Sequence, residues 1–315
     1  MTLKKLSAGS GYEYLTRQVA AADSTELGST PLGDYYAAKG EAPGRWVGGG
    51  LVGINGVEYD DLVTSGQMRN LFGEGCHPVT GTALGRAYRS DAVAGFDLTF
   101  SPVKSVSTLW AVAPPAVAQS IEQAHDAAIA DAIAFLERHA IFTREGTDGV
   151  RQVETRGLIA AAFTHRDSRA GDPDLHTHVA VANKVQTRQG RWLAIYGTVL
   201  HQHVVAASET YNTALERHLH ERLGVRFVET AAARGKRPVR EVAGVDATLC
   251  GRWSSRRQDI EERTDELRSE FTDAHGRPPT PKEILALAQR ANLETREVKH
   301  EPRSGAEQRA VWRSQ

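Results

Sequence analysis

Two stretches of this chain restrict its possible folds more than any other feature. Gly157-Leu158-Ile159-Ala160-Ala161-Ala162-Phe163-Thr164-His165 and Leu175-His176-Thr177-His178-Val179-Ala180-Val181-Ala182-Asn183 are mostly apolar. The polar segment from Arg166 to Asp174 separates them and contains Gly171 and Pro173. Two strands around a turn-rich connection make an antiparallel hairpin. In the second strand, side chains alternate between faces, so His176 and His178 share one face, roughly 6.6 Å apart along the backbone. Leu175, Val179 and Val181 take the other face, while Ala180 and Ala182 follow on the histidine side, small enough to leave room. His165 ends the first strand and His176 opens the second, so antiparallel pairing sets them side by side. Three neutral imidazoles can hold a divalent ion at roughly 2.0–2.2 Å and leave positions open for substrate oxygens.

Two further His-x-His pairs, His201/His203 and His218/His220, lie in the stretch 198–223, which reads as helical. Residues two apart on a helix point about 200° apart and cannot share an ion. These four histidines therefore read as surface or partly packed. For the first pair, spacing alone also leaves a packed histidine cluster open.

Ahead of the hairpin, Ala94-Gly95-Phe96-Asp97-Leu98-Thr99-Phe100 alternates as a half-buried strand. Phe96, Leu98 and Phe100 face one way and Asp97 the other. Beside the hairpin, Asp97 could accept a hydrogen bond from a ligand imidazole and fix its tautomer. The plain alternative is a strand-end carboxylate in water. Pro114-Pro115 opens an alanine-rich helix over 116–138. Residues 246–271 and 281–299 also read as helical, residues 22–33 as a loop and Lys39 to Gly56 as irregular glycine-rich chain.

A chain of 315 residues can bury a sizeable core as one large domain or two modest ones. It has no apolar run near the ~20 residues of a membrane-spanning helix. Its N-terminus lacks the apolar stretch of a secretory signal. Two cysteines, Cys76 and Cys250, exclude a disulfide framework and a four-thiolate zinc site and fit a reducing cytoplasm. No Gly-x-x-x-x-Gly-Lys-Ser/Thr loop is present, so ATP hydrolysis is not expected. The net charge of −1 argues weakly against nucleic acid, but the distribution of charge matters more than the sum. Between Arg234 and Arg257 lie seven basic residues (Arg234, Lys236, Arg237, Arg240, Arg252, Arg256 and Arg257) against Glu241 and Asp246. This stretch reads either as a solvated face or as a phosphate-contacting lobe, and Trp253 within it as a stacking platform or a core residue. Four of the eight tyrosines cluster early: Tyr12, Tyr14, Tyr35 and Tyr36. Each could pack, or could attack phosphate if activated.

Taken together, these residues resemble the N-terminal relaxase domain of MobF-type conjugative relaxases, in the HUH endonuclease superfamily. The resemblance rests on Ser7-Ala8-Gly9-Ser10-Gly11-Tyr12-Glu13-Tyr14, Asp34-Tyr35-Tyr36, and Arg45-Trp46 within Gly40–Gly50. It continues with Phe96-Asp97-Leu98-Thr99-Phe100-Ser101-Pro102-Val103-Lys104-Ser105-Val106-Ser107, His165-Arg166-Asp167-Ser168-Arg169, and Asp172-Pro173-Asp174-Leu175-His176-Thr177-His178.

The resemblance implies an α+β fold: a central antiparallel sheet flanked by helices, then a mainly helical finger or thumb region. Residues 1–230 would form the catalytic palm and 231–315 the DNA-clasping part, with a helicase following in many relatives. It gives the metal to His165, His176 and His178, their support to Asp97, and DNA contacts to Arg169, Lys104, Lys236, Arg237, Arg256 and Arg257. Relatives often carry adjacent tyrosines first, whereas here Glu13 intervenes. Counting from Ser7 matches Tyr14 to the leading nucleophile, with Tyr12 as the alternative and Tyr35 and Tyr36 as the second group. The implied activity is cleavage and rejoining of single-stranded DNA at a transfer origin, beside a hairpin, through a 5′-phosphotyrosine. The implied cofactor is Mg2+ or Mn2+, with Zn2+ or another transition metal as the alternative. Implied partners are the origin DNA, accessory transfer proteins and a secretion apparatus, in a bacterial cytoplasm without membrane insertion. A rolling-circle initiator, a transposase, a hydrolase using metal-bound water and a non-catalytic DNA-binding module remain as rivals.

Overall fold

The computed structural model describes residues 1–16, 43–230, 238–296 and 303–315. Tyr35, Tyr36, Lys236, Arg237 and the 22–33 loop lie outside the described residues. The centre is a five-stranded antiparallel sheet of β1 (Thr2–Ser7), β2 (Arg45–Val47), β3 (Val93–Phe100), β4 (Ala160–Asp167) and β5 (Pro173–Ala182). The strand order is β1-β3-β5-β4-β2. The expected hairpin is β4–β5, and it forms the interior of the sheet. Both strands reach further into the polar segment than its composition suggests, because Asp167 pairs with Pro173 and leaves only 168–172 as loop. Proline is tolerated there as the first residue of a strand.

Composition predicts irregular chain over Lys39 to Gly56, but Arg45–Val47 within it is a strand. Arg45–Val47 pairs with Ala160–Ala162, which buries Trp46 completely at the sheet edge. Gly48 follows with φ 106°, and a Cβ there would strike the Leu158 carbonyl oxygen, so the chain leaves β2 by a path that a side chain would block. β1 gave no clear sequence signal, since exposed polar residues occupy most of its positions, yet it pairs along β3.

The helices are α1 (Glu13–Thr16), α2 (Lys104–Val112), α3 (Pro115–His139), α4 (Val204–Leu223), α5 (Ser255–His275), α6 (Pro281–Glu294) and α7 (Gly305–Ser314), besides shorter turns. α3 matches the alanine-rich stretch, with Pro115 at its first position. The stretch 198–223 breaks at His203, between a short helix Gly197–Gln202 and α4. The stretch 246–271 likewise splits into Ala247–Arg252 and α5. α6 opens with a capping box, Thr280 and Glu283, each accepting from the other's backbone N–H, and ends at Glu294.

The two sheet faces carry two cores. Phe96, Leu98, Phe100, Leu175, Val179 and Val181 meet α3 and α4 on one side. Trp46, Ala161, Phe163, Ala180 and Ala182 meet Tyr12, Leu15, Met68, Leu71 and Phe72 on the other. Val242, Trp253 and Trp312 belong to the first of these cores, so residues after 238 share a core with the central sheet. The pair α5 and α6 contributes only Leu267 and Ala291 as buried residues.

Candidate metal centre and nucleophile

The hairpin register decides the site. His165 pairs directly with His176, and His178 lies opposite Phe163 two rungs along, on the same face. The ring centroids are 5.1 Å apart for His165–His176 and for His165–His178, and 5.3 Å for His176–His178. One ring nitrogen from each lies within 4.8 Å of the others. Among the described residues this is the one histidine, cysteine or carboxylate group of metal-holding geometry. Burial along β5 alternates from Pro173 to His178 and is continuous from Val179 to Ala182. The histidine end of this face is therefore its open end. The small size of Ala180 and Ala182 predicts free space beside the histidines, but both lie at 0% exposure within the smaller core.

Two of the imidazoles are fixed in the tautomer a metal requires. His176 Nδ1 lies 2.7 Å from the Asp174 carbonyl oxygen, which can only accept, so the proton sits on Nδ1. His178 Nδ1 lies 2.9 Å from both oxygens of Asp97 and donates to them. Each ring keeps an Nε2 lone pair for a cation. The donor set thus fits a divalent ion, with a carboxylate behind it to offset its charge.

Asp97 is 1% exposed, which rules out the solvated-carboxylate alternative. It lies mid-strand on β3, whose Thr99 pairs with His178. The hydroxyl of Tyr14 donates to Asp97 Oδ2 at 2.5 Å, and its ring stands edge-on to His178 at 5.9 Å between centroids. Tyr14 is 41% exposed as a residue, while its hydroxyl end is partly buried against Asp97. Burial of its hydroxyl end, then the Asp97 charge and hydrogen bond, hold its pKa well above the ordinary phenol value. Tyr12, two residues earlier, is 8% exposed and packs against Phe72 in the smaller core. One helical turn thus sends these two tyrosines to different environments.

The basic residues are placed less uniformly. Lys104, at the start of α2, donates to the Pro173 carbonyl oxygen at 2.6 Å and ties that helix to the hairpin. Arg169 lies half-buried in the hairpin loop. Burial, then the charges of Arg296 and Arg256, hold its guanidinium below its ordinary pKa, so three arginines from three segments gather there. The loop reaches them because Asp172 accepts hydrogen bonds from the backbone and side chain of Ser255 at the start of α5. Arg256 bonds Asn292 at 2.6 Å, and the exposed Arg257 pairs with Glu261 at 2.7 Å. Trp253 is core at 2% exposure, with its indole donating to Gln315, so it offers no stacking platform. The helical histidines hold no ion-binding group: His218 meets Asp131 and His220 the Val225 carbonyl.

A sequence profile of the TrwC relaxase family matches residues 8–315. The chain belongs to that family. This relaxase chain is also 33% identical over 239 residues to the multifunctional conjugation protein TraI of Escherichia coli, covering 73% of this chain and 13% of that protein. TraI of Escherichia coli strain K12 is 32% identical over 255 residues, covering 78% and 14% respectively. The chain thus spans about one seventh of the length of the curated relatives it matches. Among solved structures, the metal-bound conjugative relaxase TrwC in complex with oriT DNA superposes with a TM-score of 0.71 at 26% identity, covering 99% of this chain and 96% of that one. TrwC complexed with a 27-mer comprising the recognition hairpin and the cleavage site shares the fold, with a TM-score of 0.69 at 24% identity.

Sequence reasoning on this relaxase passed over several residues that shape the site. Ser255 and Asp172 join the hairpin loop to α5, a contact between residues far apart in sequence that carries no local signal. Arg296 is an isolated arginine at the end of α6. His125 lies in the apolar stripe of α3 with Ile121, Ala124, Ala128 and Ile129, and a histidine interrupting such a stripe is a detectable oddity.

Proposed function

We propose that this chain cuts and rejoins one DNA strand at a specific transfer origin, with Tyr14 as the attacking group. The observation that carries the reading is the continuous line from the Tyr14 hydroxyl through Asp97 to His178 and the other two imidazoles. The phenol oxygen bonds to phosphorus while the P–O3′ bond breaks. The phenol proton passes to Asp97 Oδ2, and the departing 3′ oxygen takes a proton from solvent to become a hydroxyl, after which Asp97 releases its proton to solvent. A divalent ion held by His165, His176 and His178 would polarise a non-bridging phosphate oxygen and offset the developing charge. The 5′-phosphotyrosine keeps a phosphodiester's reactivity, so the reverse attack by a 3′-hydroxyl rejoins DNA without ATP. An all-imidazole set favours a transition-metal ion such as Mn2+ or Zn2+ over Mg2+, which prefers oxygen ligands.

In this reading residues 1–230 carry the chemistry and 231–315 help to clasp the single strand. Arg169, Arg256 and Arg257 contact phosphates, Lys104 holds the hairpin frame, and Tyr35, Tyr36, Lys236 and Arg237 serve later transfer and DNA contact. The substrate is single-stranded origin DNA next to a hairpin, handled in the cytoplasm with other transfer proteins. The test is incubation with Mn2+ and a labelled single-stranded oligonucleotide from the origin region flanking the gene. A protein–DNA adduct stable to denaturant, absent in Tyr14→Phe and kept in Tyr12→Phe, is the expected result. Free cleaved ends without an adduct would instead mean attack by metal-bound water.

A further inference from the structure

Behind the histidine hairpin, on the helix-covered face of the sheet, four polar side chains form a line through an otherwise apolar core. Tyr211 of α4 meets His125 Nδ1 at 2.7 Å, and His125 Nε2 meets the Thr177 hydroxyl at 2.9 Å. The Thr177 hydroxyl in turn meets that of Thr164 at 2.9 Å. His125 and Tyr211 are fully buried and Thr177 is 1% exposed. Burial pushes the His125 imidazole down to about 3, so it is neutral and carries a single N–H.

The proton order follows from counting donors. The Tyr211 hydroxyl is buried from bulk solvent, and among the described residues its hydrogen-bond partner is His125 Nδ1. It therefore donates to Nδ1, Nε2–H donates to Thr177, and Thr177 donates to Thr164. No buried hydrogen is left over in this order, whereas the reverse order would leave the Tyr211 proton without an acceptor.

The position of Thr177 gives the line its consequence. It sits between His176 and His178 in β5, its side chain on the face opposite theirs. Thr164 is its cross-strand partner, on the rung beside the His165–His176 pair. One hydroxyl thus links the two ligand-bearing strands and anchors them to α3 and α4. We infer that the line Tyr211–His125–Thr177–Thr164 sets the spacing of the three histidines from the far side of the sheet, making His125 and Thr177 positioning residues for the metal centre. The inference rests on the reading that the three imidazoles hold a divalent ion. A line that served only the core would affect folding and leave the ion's ligand geometry unchanged.

The experiment uses the whole chain and Co2+, whose visible absorption reports ligand geometry, with binding followed by calorimetry and folding by circular dichroism. Thr177→Val keeps the shape and removes the hydroxyl. It is expected to weaken Co2+ binding roughly tenfold to a hundredfold and to shift the absorption bands, as loss of ligand support does elsewhere. Thr177→Ser restores the hydroxyl and should bind within about threefold of the unaltered chain with its spectrum intact. Should Thr177→Val fail to fold, Tyr211→Phe, which removes the first donor, carries the test with a smaller loss in the same direction. Wild-type affinity and spectrum in a folded Thr177→Val or Tyr211→Phe protein would overturn the inference. Failure of the unaltered chain to bind Co2+ at all would instead overturn the metal reading, and this inference with it.

Discussion

The two faces of the central sheet use the same five strands for opposite purposes. The face under α3 and α4 is apolar along most of its length, and the Tyr211–His125–Thr177–Thr164 line within it has every buried hydrogen accounted for. Among the described residues, the histidine face is covered where Trp46, Phe72 and the alanines meet, and past Ala180 it carries the partly exposed His176, His178 and Tyr14. Asp97, buried within the sheet but bonded to two groups at its open end, marks the border. The contrast shows how a sheet separates stability from chemistry. Period-2 alternation lets one residue anchor the fold while its neighbour is offered to a substrate.

The comparison breaks if substitutions on the open face unfold the protein, or if those on the closed face leave it intact. Tyr14→Phe has the largest expected effect: loss of covalent adduct by roughly a thousandfold or more with the thermal midpoint little changed, read on denaturing gels and by calorimetry. Leu98→Ala, on the closed face, should lower unfolding free energy by about 3 kcal/mol in urea titrations through the cavity it leaves. His176→Ala should weaken Mn2+ binding by roughly a hundredfold in calorimetry while leaving the urea midpoint close to that of the intact chain.

The fourth test uses pH. The folded His125 stays neutral down to about pH 3, with Tyr211 the titratable group bonded to it, whereas the unfolded imidazole protonates near its ordinary value. Its contribution is therefore present at pH 7 and is lost as pH falls. Metal-free chain should lose about 2 kcal/mol between pH 7 and pH 5 from this group, and His125→Gln should lack that component. A pH profile identical in the two proteins would contradict the sealed environment. The smallest effect belongs to the surface. Arg257→Ala should change stability by under about 0.5 kcal/mol and lower the salt dependence of single-strand binding by roughly one counterion.

Much of the site was legible because its geometry is local. His165, His176 and His178 lie within one hairpin, and alternation alone puts them on a common face; the same rule sets Asp97 opposite Phe96 and Leu98. The alanine-rich α3 was legible from propensity. The tyrosines were not, because Tyr12 and Tyr14 differ only in how α1 meets the sheet, and that angle depends on Phe72 and Leu15 packing beneath it. β2 was hidden by its glycines, and Trp253 read equally well as core or platform until α7 and Gln315 covered it.

The chain's own order of residues determined the hairpin, the shared face of its three imidazoles and the side taken by Asp97, because each follows from a two-residue period acting over a few positions. Tertiary structure alone decided which phenol reaches the carboxylate, which arginines gather at the hairpin loop and that a histidine on a distant helix holds Thr177. The hydrogen bonds among those contacts join residues 52 to 83 positions apart in sequence. No local pattern encodes them, because they exist only once the two cores have formed and fixed the elements against one another.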